Sequence, residues 1–298
     1  MPRARRLLQR AVMQSGALNL TRTPAEASQV TGWLLEELGL MPEQAGKLRD
    51  LPADELLAAQ NRAMRRSPLV TFWPVADGDI IPAKPYHALA AGVAAGIPVL
   101  AGTNLEEMNL YRFLDPGIDT LDDAGLMQRA DLLFSGAGEQ AVSIYRDARA
   151  ARGEDNSPVA IWLAMTTDQT FRIGITRLLE TQAVRAPAYA YLFDWKARAE
   201  DRPRGAVHAL DLPFIFGTLD VSEIGRMAGR TPAAYALSEK MQDAWLAFIR
   251  TGNPRTKSLP AWEPYQPPRR ATMLLGETCA LIDAPQEPER SFWTPFLT

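Results

Sequence analysis

Residues 97–107 have the sequence IPVLAGTNLEE. The apolar run from Ile97 to Gly102 predicts a buried strand, because such runs occur where both faces of a parallel sheet are covered. Two adjacent carboxylates, Glu106 and Glu107, follow this strand directly. Open α/β sheets carry their sites in the loops after the carboxyl ends of strands. The stretch therefore predicts a sheet edge at which acidic side chains gather.

Other strand patterns lie on both sides of this stretch. Residues 189–195 (YAYLFDW) are aromatic and apolar and predict a second buried strand. Residues 10–14 (RAVMQ) predict a short strand, and the tail holds two further candidates, ATMLL at 271–275 and CALID at 279–283. Only about three of these segments have a clear strand pattern, which is few for a sheet protein of this length.

Helical patterns separate the strands. Thr23, Pro24 and Glu26 combine an N-cap, a proline at the first helical position and a capping-box carboxylate. Apolar spacing and stop signals predict helices over residues 23–39, 53–66, 86–95, 159–182 and 231–251. Gly174 is the expected weak point of the fourth helix. Strands that alternate with helices favour an α/β fold with a largely parallel sheet.

Composition excludes several classes of protein. The 298 residues carry 32 Lys and Arg against 35 Asp and Glu. The sequence has no basic stripe of the kind that binds nucleic acid. No apolar run reaches the length that spans a bilayer. The single cysteine, Cys279, fits a reducing compartment, so we predict a cytoplasmic location. The Arg-rich N-terminus leaves an organellar transit peptide as the alternative.

Only two histidines occur, and their surroundings differ. His87 lies on a predicted helix and is expected to be a surface or half-buried side chain. His208 follows the strand at 189–195 through a polar loop, where open α/β sheets place functional groups. A carboxylate at Glu106 or Glu107 could accept the Nδ1–H of an imidazole and stabilise its charged form during acyl transfer. The simpler interpretation of that acidic pair is a solvated helix N-terminus.

Several motifs, in a fixed order, resemble the type-B carboxylesterases, a family that includes para-nitrobenzyl esterases and cholinesterases. The matching segments are RAVMQSG at 10–16, PVADG at 74–78, GTNLEE at 102–107, HALDLPFIFG at 208–217, WLAFIRTGNP at 245–254 and LPAW at 259–262. The resemblance implies an α/β-hydrolase fold with a single partial domain over residues 1–298, whose N-terminal strands are missing. It implies the catalytic pair Glu107 and His208, in the chain order of α/β-hydrolases. Met108 departs from the small residue that the family usually has there.

The nucleophile that this resemblance requires is not found. The family carries it in Gly-x-Ser-x-Gly, whose glycines permit a sharp turn, and no such pentapeptide occurs in the chain. Ser15 and Ser135 both lack the first glycine, so neither is expected to be the nucleophile. The His-Gly-Gly oxyanion loop is absent too. We expect a chain shortened at its start, through a shortened gene or an internal methionine taken as the first residue.

The resemblance implies hydrolysis of a small-molecule carboxylic ester, a reaction that needs no metal or cofactor. His208 would act as general base and Glu107 would orient it. Without the nucleophile, the isolated chain is predicted to be inactive and to associate with itself or with an N-terminal fragment. Two alternatives remain: a non-catalytic binding or adhesion protein on the same fold, and a half-enzyme that a separately encoded piece completes.

Overall fold

The computed structural model describes residues 1–66, 72–115, 117–197, 205–221 and 223–297. The chain divides into two compact units. The first comprises Met1–Arg6 and Leu18–Val93, and the second comprises Leu7–Ala17 and Ala94–Thr298.

A sheet with the strand order β1-β2-β3-β4-β5 forms the centre of the second unit. Its strands are β1 (Ala11–Gln14), β2 (Val99–Asn104), β3 (Ala188–Phe193), β4 (Thr272–Leu275) and β5 (Ala280–Ile282). Strands β1 to β4 run parallel to one another, and β5 is antiparallel to β4. The predicted α/β class and all of the predicted strands are confirmed. Since β2 and β3 are buried along their whole length, they carry the apolar runs seen in the sequence.

The strand that follows Ile97 begins and ends later than predicted. It runs from Val99 to Asn104, so the Gly-Thr pair lies inside the strand and not at its end. Gly102 lies opposite Tyr191 of β3, and a Cβ atom there would approach the Tyr191 carbonyl oxygen to 2.3 Å. Glycine is therefore required for the two strands to pair this closely.

Both units contain helices. The α-helices are α1 (Pro24–Glu37), α2 (Ala53–Ala63), α3 (Pro85–Ala90), α4 (Asp123–Leu133), α5 (Gly138–Ala151), α6 (Pro158–Thr167), α7 (Ile173–Ala183), α8 (Leu212–Ile215), α9 (Glu223–Met227), α10 (Pro232–Thr251) and α11 (Glu287–Trp293). Shorter 3₁₀ segments span Pro2–Leu7, Pro42–Arg49, Met64–Arg66, Glu107–Leu114, Ile118–Thr120 and Thr294–Phe296. Helices α4, α5, α9 and α11 were not predicted.

The first unit contains the predicted capping box. The Thr23 backbone N–H donates to Glu26 Oε2 at 2.7 Å, and the Glu26 N–H donates to Thr23 Oγ1 at 3.3 Å. Gly39 follows the helix with a φ of +64°, a left-handed conformation that glycine adopts without strain. The predicted start and end of this helix are therefore confirmed.

The long helix predicted over residues 159–182 is interrupted. A π-turn, Asp168–Arg172, joins α6 to α7, and the Ile173 N–H donates to the Asp168 carbonyl, five residues back. The prediction that Gly174 would be the weak point is wrong, because Gly174 lies within α7. Thr167, at the end of α6, and Asp168 and Phe171, in the π-turn, make contacts with other elements, which are described below.

Helix α10 covers one face of the sheet. Its residues Leu237, Met241, Trp245 and Phe248 lie in one buried cluster with the aromatic side chains of β3. The helix ends where Gly252 adopts a φ of +81°, at the predicted stop signal. A second buried cluster joins α4, α5, α6 and α11.

No helix within the described part of the chain is both long and apolar enough to cross a membrane.

Candidate active site

Glu107 stands just past the carboxyl end of β2. It is the first residue of the segment Glu107–Leu114, and its side chain is fully buried. A buried carboxylate is costly unless donors surround it. The side chains and backbone groups that supply those donors come from three separate parts of the chain.

His208 lies in the loop after β3, the strand next to β2. Its Nδ1 atom is 2.6 Å from Glu107 Oε2, and its backbone N–H donates to the Glu107 carbonyl at 3.3 Å. Because a carboxylate only accepts hydrogen bonds, Nδ1 carries the proton. The imidazole side chain is 27% exposed. The structure therefore brings the two sequence-predicted residues together, with Nε2 left as the basic nitrogen.

Ser15 also bonds to Glu107. The Ser15 hydroxyl donates to Glu107 Oε1 at 2.5 Å, and the Asn104 backbone N–H donates to the same oxygen at 2.7 Å. Ser15 is buried and has a φ of +57°, directly after β1. A nucleophilic serine would instead bond to the basic nitrogen of His208. Ser15 is thus placed as a partner of the carboxylate, and Ser135 is exposed at the end of α4.

Glu106 has a different set of partners. It accepts hydrogen bonds from Lys196 Nζ at 2.7 Å and from the Ala206 N–H at 2.8 Å. Burial lowers the pKa of Lys196, but the carboxylates of Glu106 and Asp194 raise it more. A Cβ atom at Gly205 would lie 2.4 Å from Glu106 Oε2, so glycine lets the loop before His208 close over this carboxylate. Glu107 therefore bonds to the imidazole of His208, whereas Glu106 bonds to Lys196 and to the loop before His208.

Asp211 is a second buried carboxylate beside the pair. It accepts hydrogen bonds from Gln14 Nε2 at 3.1 Å, from the Tyr191 hydroxyl at 3.2 Å and from Asn104 Nδ2 at 3.4 Å. Burial, and then the charge of Glu107, raise the pKa of Asp211 to about 6. Asn104 Nδ2 also donates to the Val207 carbonyl at 2.6 Å, next to His208. Asn104 thus connects both carboxylates to the histidine loop.

Aromatic rings surround the imidazole. The Tyr111 ring centroid is 5.5 Å from that of His208, and the Phe171 centroid is 4.9 Å from it. Burial, and then the charge of Glu107, raise the pKa of Tyr111. Met108, where the family usually has a small residue, is buried in a cluster with Phe171.

Sequence reasoning missed part of this arrangement. It noted Asp211 only as a family match, and it assigned no role to Gln14, Asn104 or Phe171. Phe214, within the motif at 208–217, is fully buried in the core, whereas Phe113 is 73% exposed. His87 is exposed on α3, as predicted.

Chemically, the arrangement is suited to proton transfer. A carboxylate on Nδ1 fixes the tautomer of an imidazole and stabilises the imidazolium that forms when Nε2 accepts a proton. Nucleophilic acyl-transfer sites use such a pair beside a separate hydroxyl that attacks the carbonyl carbon.

Comparisons with known proteins show which family the chain is similar to. The sequence model of the carboxylesterase family matches residues 1–293. The para-nitrobenzyl esterase of Bacillus subtilis is 32% identical over 295 residues, which cover 97% of this chain and 57% of that protein. The phenmedipham hydrolase of Pseudarthrobacter oxydans is 28% identical over 94% of this chain and 56% of its own length.

Solved structures give the same result. A Geobacillus stearothermophilus carboxylesterase superposes with a TM-score of 0.83 at 33% identity, over 97% of this chain and 59% of that protein. The chain therefore spans somewhat more than half the length of each of these three relatives.

Proposed function

Since the chain belongs to the carboxylesterase family, we propose that Glu107 and His208 are the orienting carboxylate and the general base of a site that hydrolyses small-molecule carboxylic esters. The single observation that carries this proposal is the 2.6 Å contact between His208 Nδ1 and Glu107 Oε2, at the ends of neighbouring parallel strands. The remaining contacts of Glu107 support it, because they hold the carboxylate in place.

The proposed reaction has two steps. His208 Nε2 takes the proton of a serine hydroxyl as its oxygen attacks the ester carbonyl carbon, and the imidazolium returns that proton to the departing alcohol. A water molecule then attacks the acyl-enzyme while Nε2 accepts its proton, and Nε2 returns that proton to the departing serine oxygen as the carboxylic acid is released. Glu107 keeps Nδ1–H oriented and balances the charge on the ring in both steps.

The serine of this scheme is proposed to come from outside these 298 residues. The chain contains no Gly-x-Ser-x-Gly, and the hydroxyl of Ser15 is engaged by Glu107. We expect the chain alone to hydrolyse activated esters no faster than imidazole in solution, since loss of a triad nucleophile costs roughly a millionfold in rate. A half-enzyme completed by an N-terminal piece fits these observations.

The free edge of β1 is the proposed place for that piece. Among the described residues, β1 pairs with β2 on one side only. Carboxyl ends of parallel strands meet at one edge of a sheet, so a strand added beside β1 would end near Ser15 and Glu107. A single family model runs through both units, which supports one partial α/β-hydrolase domain over residues 1–298. The single cysteine supports a cytoplasmic location.

A chimaeric protein tests the proposal. The part of the Bacillus subtilis esterase that precedes its match to this chain would be joined to Met1, and para-nitrophenyl acetate would be the substrate. We expect a burst of para-nitrophenol followed by steady turnover. His208→Gln should lower the rate by roughly a millionfold, and Glu107→Gln by roughly ten thousandfold.

His87→Gln is the matched control, because it changes an exposed histidine in the same way and should leave the rate unchanged. Equal rates for the His208 and His87 variants would contradict the proposal. A burst from the 298-residue chain alone would show that the nucleophile lies within it. An in-frame Gly-x-Ser-x-Gly in the DNA directly upstream would be independent support.

The alternative of a non-catalytic binding or adhesion protein is less well supported. Such a protein has no need of a carboxylate on a histidine nitrogen, and Glu107 makes that contact while buried. A chimaera that folds but shows equal, negligible hydrolysis with and without His208 would favour this alternative.

A further inference from the structure

The ring of Phe171 lies against the imidazole of His208. The two centroids are 4.9 Å apart and the ring planes differ by 27°, which is a stacked arrangement. Phe171 is 6% exposed, so its position is defined by its neighbours and not by solvent. Tyr111 also approaches the imidazole, but its plane is tilted by 41°. Phe171 is therefore the aromatic side chain that stacks most closely on the proposed base.

The π-turn Asp168–Arg172 determines where Phe171 points. A π-turn inserts one extra residue into a helix, so the side chains on either side of it are rotated relative to a continuous α-helix. One turn before Phe171, Thr167 Oγ1 accepts a hydrogen bond from the Met108 N–H at 3.1 Å, next to Glu107. Within this segment, Phe171 thus contacts His208 directly, and Thr167 contacts Met108, the residue after Glu107.

The opposite side of the same segment is anchored. Asp168 is buried, and it accepts a hydrogen bond from the Tyr145 hydroxyl at 2.5 Å and pairs with Arg172. The Tyr145 oxygen in turn accepts from Trp293 Nε1 at 2.6 Å. Side chains from α5 and α11 therefore hold the π-turn in place, which fixes the position of Phe171.

We propose that Phe171, presented by this π-turn, is a positioning residue that holds the His208 imidazole against Glu107. A stacked ring blocks rotation of the imidazole on that side and excludes water from one of its faces. Both effects keep Nδ1–H on the carboxylate and direct Nε2 towards a reacting hydroxyl. This proposal rests on the proposed function, because only then does the orientation of Nε2 matter for a reaction.

Nuclear magnetic resonance of the full chain labelled with ¹³C and ¹⁵N at histidine can test the stacking directly. There are only two histidines, so His87→Gln assigns the remaining signals to His208. A ring stacked on His208 should displace its Cε1–H signal upfield from that of His87. The Nδ1 proton, held on a carboxylate, should give a separate far-downfield signal that exchanges slowly with water.

Phe171→Leu keeps an apolar side chain but removes the ring. We expect the upfield displacement to vanish and the Nδ1 proton to exchange roughly three to ten times faster, the change that loss of one aromatic pair produces. Phe171→Tyr keeps the ring face and should restore both signals. Phe248→Leu is the matched control, because Phe248 is fully buried on α10 and packs on Tyr189.

Equal Nδ1 exchange in the Phe171→Leu and Phe248→Leu variants would overturn the proposal. So would the absence of an upfield displacement in the unmodified chain, a measurement that needs no folded variant. These readouts do not require ester turnover. If the chimaera described above failed to hydrolyse esters while the stacking signals were present, the proposed function would fail and the contact would stand.

Discussion

Glu107 and Asp211 are buried carboxylates in one hydrogen-bond network, yet their partners differ. Glu107 accepts hydrogen bonds from the Ser15 hydroxyl, the Asn104 N–H and the His208 imidazole. Among the residues that the structure describes, the donors to Asp211 are neutral amide and phenol groups. In the proposed reaction, the imidazolium would therefore be balanced by Glu107, which contacts Nδ1, whereas Asp211 keeps its proton to a higher pH than a solvated aspartate does.

Asp211 should make the chain less stable as the pH rises. Its pKa is raised from 3.8 to about 6 in the folded chain, so the folded state binds this proton more tightly than the unfolded state. The stabilisation by this proton is complete below pH 4 and is lost as the pH rises through about 6. Asp211→Asn should remove about 2 to 3 kcal/mol of this pH dependence, measured by urea unfolding between pH 4 and 7.5.

The control for Asp211 is Asp243→Asn, which changes an exposed carboxylate on α10 in the same way. Its unfolding free energy should vary with pH as in the unmodified chain. The same pH slope in both variants would contradict the assigned role of Asp211.

Ser15→Ala distinguishes a partner of the carboxylate from a nucleophile. Without the hydroxyl, Glu107 Oε1 keeps only the Asn104 N–H, and a hydrogen bond to a charged group is worth about 1.5 to 3 kcal/mol. We expect the free energy of unfolding of the chain to fall by about that amount. In the chimaera, the burst with para-nitrophenyl acetate should persist; its complete loss would make Ser15 the nucleophile.

At the scale of elements, the π-turn Asp168–Arg172 is where local pattern and tertiary structure disagree. The apolar spacing of residues 159–182 is that of one continuous helix. The contacts of Asp168 with Tyr145 and Arg172 offset the weaker hydrogen bonds of a π-turn. Burial raises the pKa of Asp168, so these partners are needed if it is to stay charged.

Tyr145→Phe should therefore weaken the π-turn. It removes a donor to Asp168 and leaves Trp293 Nε1–H without its acceptor, and each buried group left unsatisfied costs about 1 to 3 kcal/mol. We expect a loss of that size in the unfolding free energy, measured in urea. Tyr235→Phe is the control, since its exposed hydroxyl bonds to Asp220 at the surface and should cost well under 1 kcal/mol.

At the scale of the whole molecule, the free edge of β1 is the proposed place where a further strand joins the sheet. The likeness to the Geobacillus stearothermophilus carboxylesterase confirms the α/β-hydrolase fold that the motifs predicted. The Ala11 N–H donates to the carbonyl of Pro98, directly before β2, and the Ser15 N–H donates to the carbonyl of Gly102 in β2. Because alternate residues of a parallel strand donate to the same neighbour, the Val12 N–H points away from β2.

Val12→Pro tests whether a strand is added beside β1. In the chain alone, this substitution removes an N–H that faces no described strand and should have little effect on stability. In the chimaera, it should lower the free energy of unfolding by roughly 1 to 3 kcal/mol, because a ladder hydrogen bond is lost. Met13→Pro, which removes a bond to β2, should destabilise both proteins. An equal effect of Val12→Pro in both would contradict strand addition at this edge.

The sequence by itself determined the class of fold, the order of most elements and the two residues proposed for catalysis. Three kinds of feature could be predicted: apolar runs, the capping box at Thr23 and Glu26, and the stop at Gly252. Each depends only on residues that are close together in the sequence. The ordered motifs identified Glu107 and His208 because each lies in a short, recognisable segment.

Only the tertiary structure decided what holds the pair of Glu107 and His208 in place and what Glu106 contacts instead. Glu106 and Glu107 are adjacent in sequence, and the packing of the loop at Gly205 separates their partners. Ser15, Asn104, Asp211 and Phe171 reach the site from distant parts of the chain. Their roles depend on distances across the sheet, and these distances are set by strand pairing and packing, which no local pattern encodes.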